Sequence, residues 1–412
     1  MSITGGPPEA GIRPQRWEYI RETTKGQTPS DPDWQPFSNK VMSWWGWEPD
    51  AQVEADRSGG DADPVDFNGG SEIHEPGISY RLQQWLVDGS GDPQDALADA
   101  MLIDSDNSVK NTHSLLGREE HADGGATGNG VRIFVVFKGA TPSDATIPFV
   151  TEQAQNPEVE LNWQAQKGRV YGIDQPPADT TLWAKSTDDS DTTQTLTVEN
   201  EGAGTTDSIS LNGTTAVQGT SGFSGIDAAE LSAECVGDVE LYDGDPGGSG
   251  TLLLTIKGQD SYEHGEGDLG VPTLGGGSHA ASISSPTDIS FLGSDYGYSS
   301  AGEIAAEIIE GELQVDLGLE DNSQNEGPQR NIHMTGRTTT WSATVAGQTE
   351  SVNQVVRYLT GETSDIEWDA GSVGTITGPS ARMMSPGSHD ESPDSGKHQR
   401  SLEWESQGVT IS

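Results

Sequence analysis

Residues 331–345 read NIHMTGRTTTWSATV, and their second half alternates small polar side chains with Trp341, Ala343 and Val345. A period of two places every other side chain on one face of a β-strand, so this stretch predicts a strand with one polar and one buried face. Residues 73–87, IHEPGISYRLQQWLV, have the same period. The polar positions are Ser79, Arg81 and Gln83 in the first stretch and Thr338, Thr340, Ser342 and Thr344 in the second.

The two alternating stretches belong to longer segments that look alike. Residues 73–79 align with residues 332–338 at an offset of 259, and each segment continues through a short turn into a predicted helix, at 92–102 and 350–359. Any two strand–turn–helix units share such a pattern, but a duplication also explains the common order and spacing. The sequence therefore predicts two related β domains, each with one short helix.

A region of different character separates the two copies. Residues 178–277 are rich in Thr, Ser and Gly, and their short alternating stretches are separated by turn signals such as Asn212-Gly213 and Asp243-Gly244. This pattern is typical of a small immunoglobulin-like β-sandwich. We predict a mainly β protein with three domains: a first domain at 1–177, an inserted sandwich at 178–277 and a second related domain at 278–412.

The charge of the chain restricts its environment and its partners. Asp and Glu number 66 against 21 Lys and Arg, which gives a formal net charge of −45. Low hydrophobicity with such a charge is typical of disorder, but the acids are spread along the chain among real apolar runs and eleven Trp. We therefore favour a folded protein of a salt-loving organism, whose carboxylates are screened by molar salt. The charge argues against a dedicated nucleic-acid binder, which needs clustered Lys and Arg.

Motifs that carry chemistry are missing from the sequence. The eight His have no HExxH spacing, the single Cys235 excludes an intrachain disulfide, and no nucleophile elbow or phosphate loop occurs. Acidic loops at 104–108 and 243–245 lack the spacing of a helix–loop–helix calcium site. We expect no enzyme activity, no cofactor and no bound metal. The sequence also has no leader segment and no long apolar run, so we expect no membrane insertion.

An aromatic group near the N-terminus has two interpretations. Trp44, Trp45 and Trp47 lie within four residues of one another. Such a group can serve as a stacking platform for carbohydrate. Aromatic residues also dominate protein–protein interfaces, and we favour that interpretation, which makes these three residues interface candidates.

The long alternating strands, the short helix and the polar loops resemble the tail tube proteins of long-tailed viruses, here of a virus of haloarchaea (a siphovirus). Residues 208–217 and 223–228 resemble sandwich modules of virion proteins. The resemblance covers most of residues 70–412. It implies a continuous barrel that is built from strands of neighbouring subunits and lined by Ser79, Arg81, Gln83, Thr338, Thr340, Ser342 and Thr344. It also implies a homotrimeric ring with pseudo-sixfold symmetry, and a sandwich that projects outward.

The resemblance also implies a set of partners. These are further copies of the chain, stacked as rings, together with the tape measure, tail terminator and baseplate proteins. DNA would pass through the lumen without specific binding. The protein would be assembled in the host cytoplasm and would reside in the virion tail. Two other classes stay open: another virion component, such as a capsid decoration or baseplate protein, and a haloarchaeal extracellular or carbohydrate-binding protein.

Overall fold

The protein is described here from a computed structural model. It describes residues 16–26, 28, 34–37, 41–47, 53–56, 66–69, 74–82, 96–101, 112–121, 127–148, 158–200, 206–233, 235–256, 288–291, 294–296, 307–321, 332–346, 356, 358–369, 375–386, 389–391 and 398–411. Within these residues the protein is mainly β, as the sequence predicts, and its sheets are antiparallel.

The described residues of the first part of the chain form ten strands and one short helix. In chain order they are β1 (Arg16–Arg21), β2 (Gln35–Pro36), β3 (Val41–Trp45), β4 (Val53–Asp56), β5 (Asp66–Gly69), β6 (Gly77–Arg81), helix α1 (Ala96–Met101), β7 (His113–His121), β8 (Val131–Pro148), β9 (Glu158–Gln164) and β10 (Lys167–Asp174).

The middle and last parts of the chain contain eighteen further strands. The middle part forms β11 (Thr180–Ser186), β12 (Thr195–Asn200), β13 (Thr206–Ser210), β14 (Val217–Phe223), β15 (Ile226–Leu231), β16 (Val239–Tyr242) and β17 (Leu252–Ile256). The last part forms β18 (Asp288–Phe291), β19 (Ser294–Tyr296), β20 (Glu307–Asp316), β21 (Leu319–Asp321), β22 (Ile332–Met334), β23 (Thr338–Ala346), β24 (Thr363–Asp369), β25 (Thr375–Ser385), β26 (His389–Glu391), β27 (His398–Ser406) and β28 (Thr410–Ile411).

The chain forms two compact units that each combine separate segments. Unit 1 contains Met1–Pro36, His113–Gly139 and Lys167–Gly275, and unit 2 contains Phe37–Thr112, Ala140–Gln166 and Gly276–Ser412. These units group the chain differently from the three consecutive regions of the sequence-based division, which stays a prediction.

Unit 1 contains the predicted sandwich. One sheet has the order β14-β11-β16-β17 and the facing sheet the order β13-β12-β15. Their buried side chains share one core with Trp34, Leu116 and Phe134 from outside the sandwich. Arg132, which is 4% exposed, donates from its guanidinium to the Ile226 carbonyl at 2.6 Å. The sandwich is therefore packed against strands β7 and β8 as part of one unit, and is not joined to them by a linker alone.

Unit 2 is built on one broad antiparallel sheet. Successive neighbours pair in the order β3-β6-β9-β8-β20-β23-β27-β25. Buried aromatic side chains line one of its faces, including Trp163, Trp341 and Trp404, each at most 2% exposed. Helix α1 packs on this unit through Leu97, whose amide donates to the Tyr80 hydroxyl at 3.2 Å.

The strand pairings repeat along the chain. In the first copy the pairs include β1–β2, β1–β7, β3–β6, β6–β9, β8–β9 and β8–β10; the equivalent pairs in the second are β18–β19, β18–β24, β20–β23, β23–β27, β25–β27 and β25–β28. Among the described residues the second copy also has the pairs β24–β25 and β26–β27. Irregularities repeat as well. Register shifts lie between Val41 and Ser43 and between Ile308 and Glu310, and a second matched pair lies in β8 and β25. The repeated pairs and bulges agree with the predicted duplication, but the strands of the first copy are divided between unit 1 and unit 2 and those of the second lie in unit 2.

The long strands β8 and β25 turn at equivalent points. Gly139 in β8 has φ 63°, and Ser380 in β25 has φ 51°. Each amide is bound by a carboxylate: Gly139 donates to Glu22 at 2.8 Å and Ser380 to Asp365 at 2.9 Å. A residue in the left-handed region lets one strand bend from one set of partners to the next.

The sequence alignment of the two copies is wrong in register. Strands β6 and β23, which are equivalent in the two copies, match at an offset of 265. Asn162 and Glu403 are equivalent, because each pairs with the residue just after the bulge in β8 or β25. Gly77 pairs with Asn162 and Ser342 with Glu403, so Gly77 is equivalent to Ser342. The aligned offset of 259 differs from this by six residues. Because six is even, every side chain stays on the face that was predicted for it.

Both predicted helices are described in part. Helix α1 occupies Ala96–Met101 of the predicted 92–102. Of the predicted 350–359 segment, the described residues Val356, 358 and 359 are helical. Val356 is 50% exposed and Leu359 75%. The other residues of the two predicted helices lie outside the described residues.

Candidate functional site

The broad sheet of unit 2 has one face that is polar from edge to edge. Paired residues in neighbouring antiparallel strands lie on the same face. One row of such pairs crosses eight strands and contains Ser43, Ser79, Glu160, Thr146, Gln314, Thr340, Glu405 and Arg382. The alternating residues form the opposite face and are buried, as Ile78, Leu161 and Val315 are. We call the first surface the polar face.

Four of the predicted lumen residues lie on the polar face as expected. Thr338 is exposed, and Thr340, Ser342 and Thr344 are half-buried. Between them Thr339, Trp341 and Ala343 are at most 4% exposed. The alternation that predicted this strand is therefore present in β23 residue by residue.

The first-copy candidates are less accessible. Ser79 is 1% exposed, and its hydroxyl donates to the Glu158 carboxylate at 2.6 Å. Arg81 is half-buried and opposes Glu158 across the β6–β9 pair. Gln83 lies outside the described residues. Ser79 thus positions a carboxylate of the polar face and does not itself line an open surface of the single chain.

Carboxylates dominate the polar face, for which the sequence had predicted Ser, Thr, Gln and Arg side chains. They come from strands other than the two used for the prediction: Asp144, Glu158, Glu160, Glu310, Glu312, Asp316, Glu403 and Glu405. The signal was present as pairs of acids two residues apart in β9, β20 and β27. Only the pairing of these strands with β6 and β23 shows that they share a face.

The polar face carries two like charges in direct opposition. Asp144 and Asp316 oppose each other in the β8–β20 pair. Like charges directly opposite destabilise a sheet unless they are screened. Local hydrogen bonds offset part of this cost, since Asn162 donates to Asp144 at 2.7 Å and the Gly318 amide donates to Asp316 at 2.8 Å. This arrangement suits concentrated salt.

Strand β3 is the last strand on one side of the sheet in the part of the chain that the structure describes, and its aromatic side chains are exposed. It pairs with β6, and no described strand pairs along its other side. Trp44 is 39% exposed, Trp45 38% and Met42 46%. Trp47 differs from them: it is 4% exposed and donates from Nε1 to the Gly77 carbonyl at 2.8 Å.

The Trp group does not form a flat platform. Trp44 opposes Ile78 on the buried face, whereas Trp45 opposes Gly77 on the polar face and donates to Asn162 at 2.9 Å. Adjacent residues of a strand point to opposite sides of the sheet. A sugar ring therefore cannot stack on both indoles at once.

A second open edge lies at the other end of the sheet, in the second copy. The last part of β25, from Met383 to Ser385, pairs with β27 on one side, and β26 also pairs with β27. The described part of β24 pairs with β25 only as far as Arg382. Beyond that residue no described strand covers the outer side of β25 or β26.

The junction between the two copies shows what such an edge accepts. In the first copy, the end of β8 from Asp144 to Pro148 corresponds to the open edge at β25 and β26. It pairs with β20, from Asp316 to Glu312. Strand β20 corresponds to β3, because both pair with a β6-type strand and carry the same bulge. The part of β20 that pairs with β8 begins at Glu312, which corresponds to Trp45, the last residue of β3.

Metal ligands are not clustered in the described residues. No group of three or more His, Cys, Asp or Glu side chains is placed to hold a metal ion there. In the acidic loop at 243–245, Asp245 accepts from the Gly247 amide at 2.8 Å and Asp243 accepts from the Thr251 amide. The loop at 104–108 lies outside the described residues.

No described helix has the length and apolarity to cross a bilayer.

Comparison with solved structures gives several likenesses, among them two chains of gene transfer agent particles. One is to a chain in the virion of a native gene transfer agent particle, at 14% identity and a TM-score of 0.24; it covers 31% of this chain and 95% of that chain. The other is to a chain in the tail of an empty gene transfer agent particle with C6 symmetry, at 17% identity and a TM-score of 0.24; it covers 31% of this chain and 94% of that chain. No protein-family model matches the chain, and no curated protein sequence does.

Proposed function

We propose that this chain is a non-enzymatic virion protein, the tail tube subunit of a long-tailed virus of haloarchaea. Copies join edge to edge into rings, and the rings stack into a channel for DNA. The observation that carries the proposal is the internal junction between β8 and β20, which joins the two copies through paired strand edges, together with the edges at β3 and at β25 and β26, along which no described strand pairs.

Edge pairing of this kind is head-to-tail. The edge at β25 and β26 of one copy meets β3 of the next, so the two surfaces in contact are different. Such heterologous contacts close into a ring when the rotation between copies closes. Closure leaves no unpaired strand edge, which a soluble protein otherwise has to protect against aggregation.

The number of copies follows from the duplication. Each chain contributes two related domains, and the internal junction has the same design as the one proposed between chains. Three chains then give six domains around the axis. This is the homotrimer with pseudo-sixfold symmetry that the resemblance to tail tube proteins implies.

The polar face fits the wall of such a channel. Its carboxylates would face the lumen, where they repel the phosphates of passing DNA. At 1 M salt the Debye length is about 3 Å, so this repulsion acts only at close range, and it prevents adhesion without blocking passage. DNA is accordingly a transient occupant with no specific site.

The remaining partners are those of a tail. We expect contact with the tape measure protein inside the channel and with the tail terminator and baseplate proteins at its ends. Assembly takes place in the host cytoplasm and the product resides in the virion tail. A capsid decoration protein has no need of the matched open edges, which is why the tube subunit is preferred.

Electron microscopy of the purified protein in molar salt tests the proposal. We expect rings or tubes with a central hole wide enough for duplex DNA. The variant Trp44→Lys places a charge on the β3 edge, where lysine blocks strand addition, and should yield monomers. Leu252→Lys is the control, because Leu252 is 40% exposed on β17 of the sandwich. Monomers of the unmodified protein at every concentration, or rings of Trp44→Lys, would contradict the proposal.

A further inference from the structure

A cleft beside β25 carries two arginines. Its volume is about 570 Å³, and its lining includes Arg337, Arg382, Ser380, Thr363, Met384 and Glu405. All of these residues belong to unit 2. In a chain with net charge −45, two guanidinium groups beside one carboxylate are a local reversal of charge. We call this surface the arginine cleft.

The guanidinium group of Arg337 lies partly buried against a glycine. The side chain is half-buried, and its Nη1 atom is buried with no hydrogen-bond partner among the described residues. Gly408 makes room for the group, because a Cβ at this glycine would lie 2.1 Å from Nη2. Burial lowers the pKa of Arg337 below its ordinary value, and no described carboxylate offsets that effect. A buried donor of a charged group without a partner is unfavourable, so an anion that reaches Nη1 would be bound.

Arg382 contributes the second guanidinium group from the polar face. The residue is exposed, and it lies between Thr363 of β24 and Glu405 of β27, which both oppose it. Although Glu405 is directly opposite, no salt bridge to Arg382 occurs among the residues that the structure describes. The donors of this guanidinium group are therefore accessible to a ligand in the cleft.

The first copy shows that the strand pairing does not require an arginine at this place. Thr141 pairs with Gln164 next to the bulge in β8, and Arg382 pairs with Glu405 next to the equivalent bulge in β25. Thr141, which takes the place of Arg382, is uncharged and 2% exposed. The same pairing thus forms with and without a cation, so the needs of the sheet alone do not explain Arg382.

The donors of the arginine cleft fit one oxyanion. A guanidinium group binds the paired oxygens of a carboxylate or a phosphate through two parallel N–H···O bonds. The hydroxyls of Thr363 and Ser380 line the same cleft and can donate as well. Two guanidinium groups and the Glu405 carboxylate leave one positive charge, which one monovalent anion neutralises. Chloride is a single spherical acceptor and cannot form the paired contact, so we expect the cleft to select oxyanions in KCl.

We propose that the arginine cleft is a binding site for one small oxyanion, a carboxylate or a phosphate group. Arg337 provides the partly buried donors that hold the anion, and Arg382 completes the site from the polar face. Glu405 disfavours anions of higher charge. This inference goes beyond the proposed function and does not depend on it, because residues of a single chain form the cleft.

Anion titration of the full chain in molar KCl tests the site. Acetate labelled with ¹³C at its carboxylate, and separately inorganic phosphate, replaces part of the chloride, and the widths of the ¹³C and ³¹P signals report binding. We expect saturable binding of at least one of the two anions, and the anion that binds identifies the oxyanion. Arg382→Thr, which introduces the residue of the first copy, should weaken that binding about tenfold or more. Arg337→Gln should weaken it likewise.

A matched change of charge elsewhere in the chain is the control. Arg21→Gln removes one positive charge from an exposed residue of β1 in unit 1, and it should leave anion binding unchanged. Circular dichroism compares the fold of each variant with that of the unmodified chain. Saturable binding of neither anion would overturn the proposal. Equal anion binding by Arg382→Thr and by the Arg21→Gln control would overturn it as well.

Discussion

Asp191 is a fully buried carboxylate that holds two loops of the sandwich together. It accepts hydrogen bonds from the Ser186 hydroxyl at 2.5 Å and from the amides of Val236 and Gly237 at 2.8 and 2.9 Å. Burial by itself raises the pKa of Asp191, but the hydrogen bonds outweigh it and hold the pKa below its ordinary value. The ionised form therefore stabilises the fold.

The substitution Asp191→Asn should lower the free energy of unfolding by about 1–3 kcal/mol at neutral pH. The amides of Val236 and Gly237 lose a charged acceptor, and one of them then faces the NH₂ group of asparagine, which cannot accept. The folded pKa is depressed, so the contribution is complete above the unfolded pKa of about 3.9 and is lost as the pH falls through the folded value. Thermal unfolding at pH 7 and at pH 3 measures both effects. The difference between the two proteins should shrink at pH 3; a difference that stays constant would contradict this role.

The residue scale also shows what a local pattern can and cannot predict. Cys235 was expected to be a small buried residue, and it is 2% exposed. The polar positions of β23 were predicted correctly because alternation is a property of one strand. Asp191 and Arg337 carried no such signal. Their importance comes from hydrogen-bond partners and glycines far away in the sequence.

At the scale of elements, the long strands β8 and β25 are the clearest relics of duplication. Both bend at a residue with positive φ, which is Gly139 in one copy and Ser380 in the other. A left-handed conformation costs a residue with a Cβ about 1–2 kcal/mol, and glycine avoids most of that cost. Ser380 in the second copy therefore carries backbone strain that Gly139, at the equivalent position of the first copy, avoids.

Exchanging the two residue types tests whether the bends are equivalent. Ser380→Gly should raise the free energy of unfolding by up to about 1 kcal/mol, after allowance for the entropy that glycine adds to the unfolded chain. Gly139→Ser should lower it by about 1–2 kcal/mol. Chemical denaturation in molar salt provides the measurement. Changes of the same sign at both positions would show that the two bends are not related in this way.

Pairing between elements was where prediction failed. Of the predicted strand at 73–87, the structure describes 74–82 and places β6 at Gly77–Arg81, and the stretch at 331–345 is divided into β22 and β23. The duplicated segments were found, but at an offset six residues too small. Side-chain periodicity contains no information about which residue of a partner strand lies opposite.

At the scale of the whole molecule, charge is the dominant feature. The chain has a net charge of −45. On its polar face, carboxylates such as Asp144 and Asp316 also lie directly opposite each other and repel. The Debye length falls from about 10 Å at 0.1 M salt to about 3 Å at 1 M. Repulsion between exposed carboxylates is therefore strong in dilute buffer and short-ranged in concentrated salt.

The midpoint of thermal unfolding should rise steadily between 0.1 M and 3 M KCl. Each kcal/mol of relieved repulsion raises the midpoint by about 2–4 °C for units of this size. Asp316→Asn should lessen this dependence on salt, because it removes one of two opposed charges. Glu367→Gln is the control, since Glu367 is exposed and opposes Thr377. Equal salt dependence of the two variants would show that net charge alone matters.

The sequence by itself determined the β class, the presence of a duplication, the sandwich in the middle and the face on which each side chain of β23 lies. Each of these depends on composition or on a period of two along one strand, and an even error in alignment leaves the face unchanged. Only the tertiary structure decided the strand pairing, the acidic character of the polar face, the open edges and the arginine cleft. These features require residues as far apart in the sequence as Asp144 and Asp316 to lie opposite one another, and that depends on the packing of the whole sheet, which no local pattern encodes.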